Sequence, residues 1–169
     1  MKKRHFLKTS AAFVGTLTLS GCLPSQATEQ TTEGAAISEG NFEITKTEAE
    51  WREILSPEAY AVLREEATER PRSSPLDKTY TAGTYSCAGC DLPLFSSETK
   101  FDSGTGWPSF YAPLENAVAT STDRSFLMTR TEVHCRRCGG HLGHVFNDGP
   151  QPTGKRYCMN GIAMTFTSA

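Results

Sequence analysis

Apolar positions recur at helical spacing in one short stretch of this 169-residue chain and alternate over much of the C-terminal half. Thr47-Glu48-Ala49-Glu50 opens a helix: the Thr47 hydroxyl can cap it, and Glu50 completes a capping box. Trp51 and Leu55 then share one face. Ser56-Pro57 predicts a second start, with serine as N-cap and proline in the first turn. The inner stripe of this second helix is Tyr60, Leu63 and Ala67, while Arg64, Glu65, Glu66 and Glu69 face water. Prolines between Arg70 and Pro75 end the helical pattern. Beyond them the chain is β-like. Thr79 to Ser86 is rich in Thr and Tyr, and Leu92 to Phe95 is a short apolar run. Phe126 to His134 alternates, with Leu127, Thr129, Thr131 and Val133 on one face and Phe126, Met128, Arg130, Glu132 and His134 on the other. Tyr157 to Met159 and Ile162 to Thr167 read as two more strands around Asn160-Gly161. Glycines at 104, 106, 139, 140, 143 and 149 punctuate the connections. The pattern predicts a mainly β, mostly antiparallel domain with two short N-terminal helices.

The first forty residues obey a different rule. Lys2, Lys3 and Arg4 form a basic start, and Ala11 to Leu19 is a short apolar run. That run is well under the roughly 20 residues a helix needs to cross a bilayer. Residues 1–21 therefore read as an export signal, and Leu19-Ser20-Gly21-Cys22 as a lipobox whose Cys22 would carry the lipid. A plain secretory signal with an incidental Cys22 is the alternative. Lys3-Arg4-His5-Phe6-Leu7-Lys8 also resembles a twin-arginine signal, with lysine in place of the first arginine. Residues 22–40 hold almost no large apolar side chain and read as a flexible tether. Residues 41–169 then form the one folded domain, expected as a monomer. These features place it in the cell envelope, facing the periplasm on a lipid anchor, and Leu23 favours the outer membrane. A net charge of −2 offers no basic face for nucleic acid.

The cysteines carry the chemistry. Cys87/Cys90 and Cys135/Cys138 are two CxxC pairs, each a small turn that aims two sulfurs at one point. Together they have the spacing of a four-thiolate zinc site, closed to water and hence structural. Two disulfides are the alternative in an exported protein, disfavoured because a bridge within CxxC is strained. With Cys22 in the lipobox, Cys158 is the thiol left free to react. Arg156, two residues away, favours its thiolate form.

Three segments complete the picture: Phe101-Asp102-Ser103-Gly104-Thr105-Gly106-Trp107-Pro108-Ser109-Phe110, Gly139 to Pro150, and Arg156-Tyr157-Cys158-Met159-Asn160. Over about Thr47 to Phe166 they resemble the methionine sulfoxide reductase B family in its zinc-containing form. The resemblance implies two antiparallel sheets folded towards a barrel. It implies reduction of the R epimer of protein-bound methionine sulfoxide, with methionine-sulfoxide-containing proteins as partners. By position, Cys158 matches the nucleophile, and Trp107 and Phe146 match the substrate-binding wall. His141, His144 and Asn160 match the polar groups around the sulfoxide oxygen, and Arg156 the cation near the nucleophile. The residue types suit the reaction. A thiolate attacks sulfur, an imidazole supplies the proton the oxygen needs, amide and guanidinium groups meet the developing charge, and an indole face receives the methyl.

One position departs from the family. Many members carry a second, resolving cysteine where this chain has Thr105. Threonine cannot close a disulfide. The expectation is a one-cysteine cycle in which an external thioredoxin-like donor reduces the Cys158 sulfenic acid. A binding module without turnover and a redox-sensing lipoprotein are the competing readings.

Overall fold

The computed structural model describes residues 42–169. The expected export signal, the expected tether and Cys22 lie outside them. Helix α1 spans Glu48–Ile54 and α2 spans Pro57–Glu65. Both start as their side chains dictate. Thr47 and Glu50 form the capping box, and the Ser56 hydroxyl accepts from the Ala59 N–H at 3.1 Å with proline following it. The second helix is shorter than its apolar stripe predicts. It stops at Glu65, with Glu66 left-handed at φ 56°, so Ala67 packs on the core from beyond the helix. Glu69 is consequently no solvent-facing helix residue. It is half-buried, and its carboxylate accepts from the Gly161 and Ile162 N–H groups at 2.7 and 3.0 Å.

The described residues then form nine strands: β1 (Gly83–Cys87), β2 (Pro93–Ser96), β3 (Lys100–Phe101), β4 (Ser109–Phe110), β5 (Val118–Asp123), β6 (Arg130–Cys135), β7 (His141–Phe146), β8 (Arg156–Met159) and β9 (Met164–Ser168). They make two antiparallel sheets, β2-β1-β9 and β3-β4-β8-β7-β6-β5. The domain is mainly β with few helices, as its pattern predicts. No helix among the described residues is long and apolar enough to cross a membrane.

Aromatic rings join the sheets. Phe95 on β2 stacks on Phe110 of β4 at 4.3 Å between centroids, and Tyr85 on β1 meets the same Phe110 edge-on at 4.9 Å. All three are fully buried. Burial of each such side chain stabilises the domain by on the order of 2 kcal/mol, and the ring geometry adds to this.

Two local details differ from the pattern. Leu127 does not share a strand face with Val133. It lies in a 3-10 turn at Ser125–Leu127, with φ 58° and full exposure, and β6 begins only at Arg130. The alternation carries no sign of that turn. Conversely β7 runs through Gly143, which reads as a connection in the sequence. A Cβ at Gly143 would collide with the Cys158 carbonyl oxygen. Glycine is what lets β7 lie this close to β8.

Candidate active site and four-sulfur centre

Strand register decides which side chains meet. β8 lies between β4 and β7, so Cys158 has Ser109 opposite it on one side and His144 on the other. Directly opposed residues of antiparallel strands project to the same face. The histidines are placed by an irregularity. Three residues apart, His141 and His144 would lie on opposite faces of a regular strand. The register slips between Val133 and His134, leaving Leu142 as the extra residue of β7. That bulge turns both rings to one face, 5.4 Å apart and edge-on.

A cavity of about 150 Å³ opens at the Cys158 sulfur. Trp107, Phe146, His144 and Asn160 line it, as does Arg130. Trp107 is fixed by its indole N–H, which donates to the Glu69 carbonyl at 3.1 Å. Asn160 is buried, accepts from the Glu69 N–H at 3.0 Å and donates to the Leu142 carbonyl at 3.1 Å. One of its amide hydrogens remains for a ligand. Thr105 brings its hydroxyl to 3.9 Å from the Cys158 sulfur, and Ser103 links it to Ser109 through contacts of 2.8 Å. His141 does not line this cavity. It is buried behind His144, its Nδ1 is 2.8 Å from Glu132 Oε1, and its Nε2 has no hydrogen-bond partner among the described residues. Arg156 stacks 4.4 Å over Phe146 and is held by Asp148 through two bonds of 2.9 Å.

Asp123 and Arg130 belong to the site although their sequence positions do not announce it. They face each other as the pair that closes the β5-β6 hairpin. The Arg130 guanidinium donates to Asp123 at 2.6 Å, and Asp123 lies 2.8 Å from His144 Nε2. The hairpin register is the one signal for this group, and it requires β5, whose polar residues give little strand pattern.

Electrostatics refines the sulfur's state. Burial pushes the Cys158 thiol above the ordinary range, although Thr105, the Arg156 charge and Ser109 pull it down. The expected gain in thiolate character from Arg156 is therefore outweighed in the resting site, and Asp148 already pairs that cation. Burial lowers His144 as well, against the opposing pull of Asp123. Asp123 itself is held far below the usual carboxylate range by the Ser125 N–H and hydroxyl, with His144 and Arg130 adding to this. As a carboxylate it only accepts, so the shared proton resides on His144 Nε2. At neutral pH the resting pair is a neutral thiol opposite a neutral imidazole.

The other four cysteines converge elsewhere. Cys87, Cys90, Cys135 and Cys138 place all their sulfurs within 4.8 Å of one another. The contacts Cys87–Cys138 and Cys90–Cys135 are 3.7 and 3.5 Å. Metal–sulfur bonds of about 2.3 Å in a tetrahedron put sulfurs about 3.8 Å apart, whereas a disulfide needs about 2.05 Å. The donor set fits a metal, and all four thiols are free. Arg64 and Arg137 donate to the Cys138 and Cys90 carbonyls at 3.0 and 3.3 Å, which steadies both turns.

Comparison with known proteins agrees with this geometry. A family model described as the SelR domain matches residues 55–168. Proteins called peptide methionine sulfoxide reductase MsrB are similar over most of their length. The one from Agrobacterium fabrum is 54% identical over 73% of this chain and 92% of its own. Those from Pseudomonas putida and Pseudomonas syringae are 56% and 58% identical over 73% and 72% of this chain, each over 93% of its own length. A crystal structure of the Mis18 Yippee-like domain overlays with a TM-score of 0.43 at 18% identity, covering 53% of this chain and 98% of that one, too slight a likeness to argue from. With the SelR match spanning nearly all of the described domain and MsrB proteins above half identity, this chain belongs to the SelR/MsrB family.

Proposed function

We propose that this chain reduces the R epimer of protein-bound methionine sulfoxide to methionine. The observation that supports this best is a free thiol lining a cavity with Trp107 and Phe146, in cross-strand register with His144. The name of its relatives points to the same chemistry.

The substrate's methyl group lies against Trp107 and Phe146, and its oxygen points to the polar side formed by His144 and Asn160. The fixed indole sorts the two epimers, since exchanging methyl and oxygen would press the polar atom on the ring. The Cys158 proton passes to the neutral imidazole of His144. The thiolate sulfur attacks the sulfoxide sulfur, and the imidazolium protonates the oxygen. Asp123, itself held by Arg130, holds the ring while its charge changes. In the adduct so formed the protonated oxygen passes from the substrate sulfur to the Cys158 sulfur as the bond between the two sulfurs and the substrate S–O bond break, so methionine leaves and Cys158 is left as a sulfenic acid. The substrate sulfur is reduced and the cysteine sulfur oxidised by two electrons each. His144 rather than His141 is the proton carrier because it lines the cavity.

Thr105 beside the sulfur leaves no thiol there for an internal disulfide. An external dithiol of thioredoxin type condenses with the sulfenic acid, releasing water. Its second thiol then frees Cys158 and leaves the donor oxidised. Zinc is the metal we assign to Cys87, Cys90, Cys135 and Cys138. Held by these four sulfurs it would have no open position, so it would supply cohesion between the sheets and no chemistry. We assign the protein to the envelope as a lipoprotein on a membrane, with signal 1–21, tether 22–40 and domain 41–169, on the strength of the basic start, apolar run and lipobox.

Separated epimers of a peptidyl methionine sulfoxide, assayed with dithiothreitol, test the activity. The R form is expected to turn over and the S form not, and Cys158→Ser is expected to lose at least about a thousandfold in rate. Turnover of neither epimer would refute the reading. Elemental analysis should give one zinc per chain. Cys135→Ser should lose the metal and the cooperative unfolding transition, because structural zinc contributes about 10 kcal/mol or more of folding free energy. A metal-free protein that is equally stable would count against the assignment. For the export reading, mass analysis of the membrane fraction should find a diacylglyceryl group on Cys22, and an unmodified Cys22 there would rule out the anchor.

A further inference from the structure

The cavity at Cys158 is small, and a larger one adjoins it. A groove of about 610 Å³ is walled by Ala61 and Val62 of α2, Leu76 of the 3-10 turn at Pro75–Lys78, and Ile162, Met164 and Phe166. Two chain segments run from one cavity into the other. Thr68 lines both, and Asn160 in the catalytic cavity is followed by Gly161 and Ile162 in the groove. Glu69 ties these segments together. Its N–H holds the Asn160 side chain, its carbonyl holds Trp107, and its carboxylate holds the Gly161 and Ile162 N–H groups. The groove and the catalytic wall are thus joined through one residue. Ile162 stands at its opening with 36% of its surface exposed, an apolar side chain left in water.

We propose that this groove seats an apolar side chain of the substrate polypeptide within two positions of the oxidised methionine. The proposal rests on the reductase reading and adds a substrate class to it: sulfoxides flanked by Leu, Ile or Phe. The catalytic cavity has room for little beyond the sulfoxide end of one side chain. Extended chain advances about 3.4 Å per residue, so a peptide crossing Thr68 brings its next residues over the groove.

A peptide panel tests this. The full chain is assayed with alanine-based peptides carrying R methionine sulfoxide and a single Leu, Phe, Ser or Asp at each of two positions on either side. Leu or Phe at one of these positions is expected to lower KM about tenfold with kcat unchanged, since the contact is equal in ground and transition states. Ile162→Asp, a change on an exposed side chain, should abolish the preference while leaving kcat/KM for N-acetyl methionine sulfoxide amide unchanged. Equal KM values across the panel would overturn the proposal, as they would if residues 1–41 of this chain or a second copy filled the groove. So would an Ile162→Asp loss shared by the minimal substrate. No turnover of that minimal substrate by the unaltered protein would overturn the reductase reading itself, and the proposal with it.

Discussion

Four sulfurs meeting at one point connect the two halves of this domain. Cys87 ends β1 of the small sheet, and Cys135 ends β6 of the large one. The turn that carries Cys138 leads directly into β7, where His144 and, behind it, His141 lie. The centre therefore fixes where β7 begins. Helix α2 packs behind it through Leu63, and Arg64 reaches the Cys138 carbonyl. Everything downstream inherits this anchoring. The bulge at Leu142 can turn His141 and His144 to one face only if the strand starts at a defined place.

From that anchor the site is assembled by register rather than by loops. β7 and β8 bring His144 opposite Cys158 because Gly143 allows close approach. β4 brings Ser109 to the other side. Phe146 comes from the end of β7, whereas Trp107 and Asn160 stand outside the sheet and are clamped by Glu69, whose carboxylate also holds the Gly161 and Ile162 N–H groups. Burial that raises the thiol also lowers the imidazole. The same burial thus favours the uncharged form of both groups, a thiol and an imidazole facing each other across β7 and β8.

Legibility tracks the range of the interactions. The Thr47/Glu50 box and the Ser56 cap are bonds within one turn, and they stand where the sequence places them. The two CxxC turns are equally local, and the structure brings their sulfurs together. Cys158, Trp107, Phe146, His144 and Asn160 all reach one cavity, whereas His141 lies behind it and Arg156 stands beside Phe146, paired with Asp148. The features hidden from the sequence depend on distant contacts. Arg130 and Asp123 join the site only through the hairpin β5-β6, and β5 is a polar strand recognisable by its partner alone. Glu69 reads as a surface charge because the apolar stripe of α2 continues past the residue at which the helix ends. Leu127 sits at a positive φ that no alternation pattern reports.

The central claim is that Cys158 alone accepts the oxygen. One equivalent of an R methionine sulfoxide peptide, added to the reduced protein without any thiol donor, tests it most directly. Mass spectrometry of the cysteines then reports where the oxygen went. The account predicts one equivalent of methionine formed and one sulfenic acid per chain, on Cys158, trapped by a sulfenic-acid reagent. An intramolecular disulfide involving Cys158, or oxygen on Cys87, Cys90, Cys135 or Cys138 with Cys158 still reduced, would contradict it.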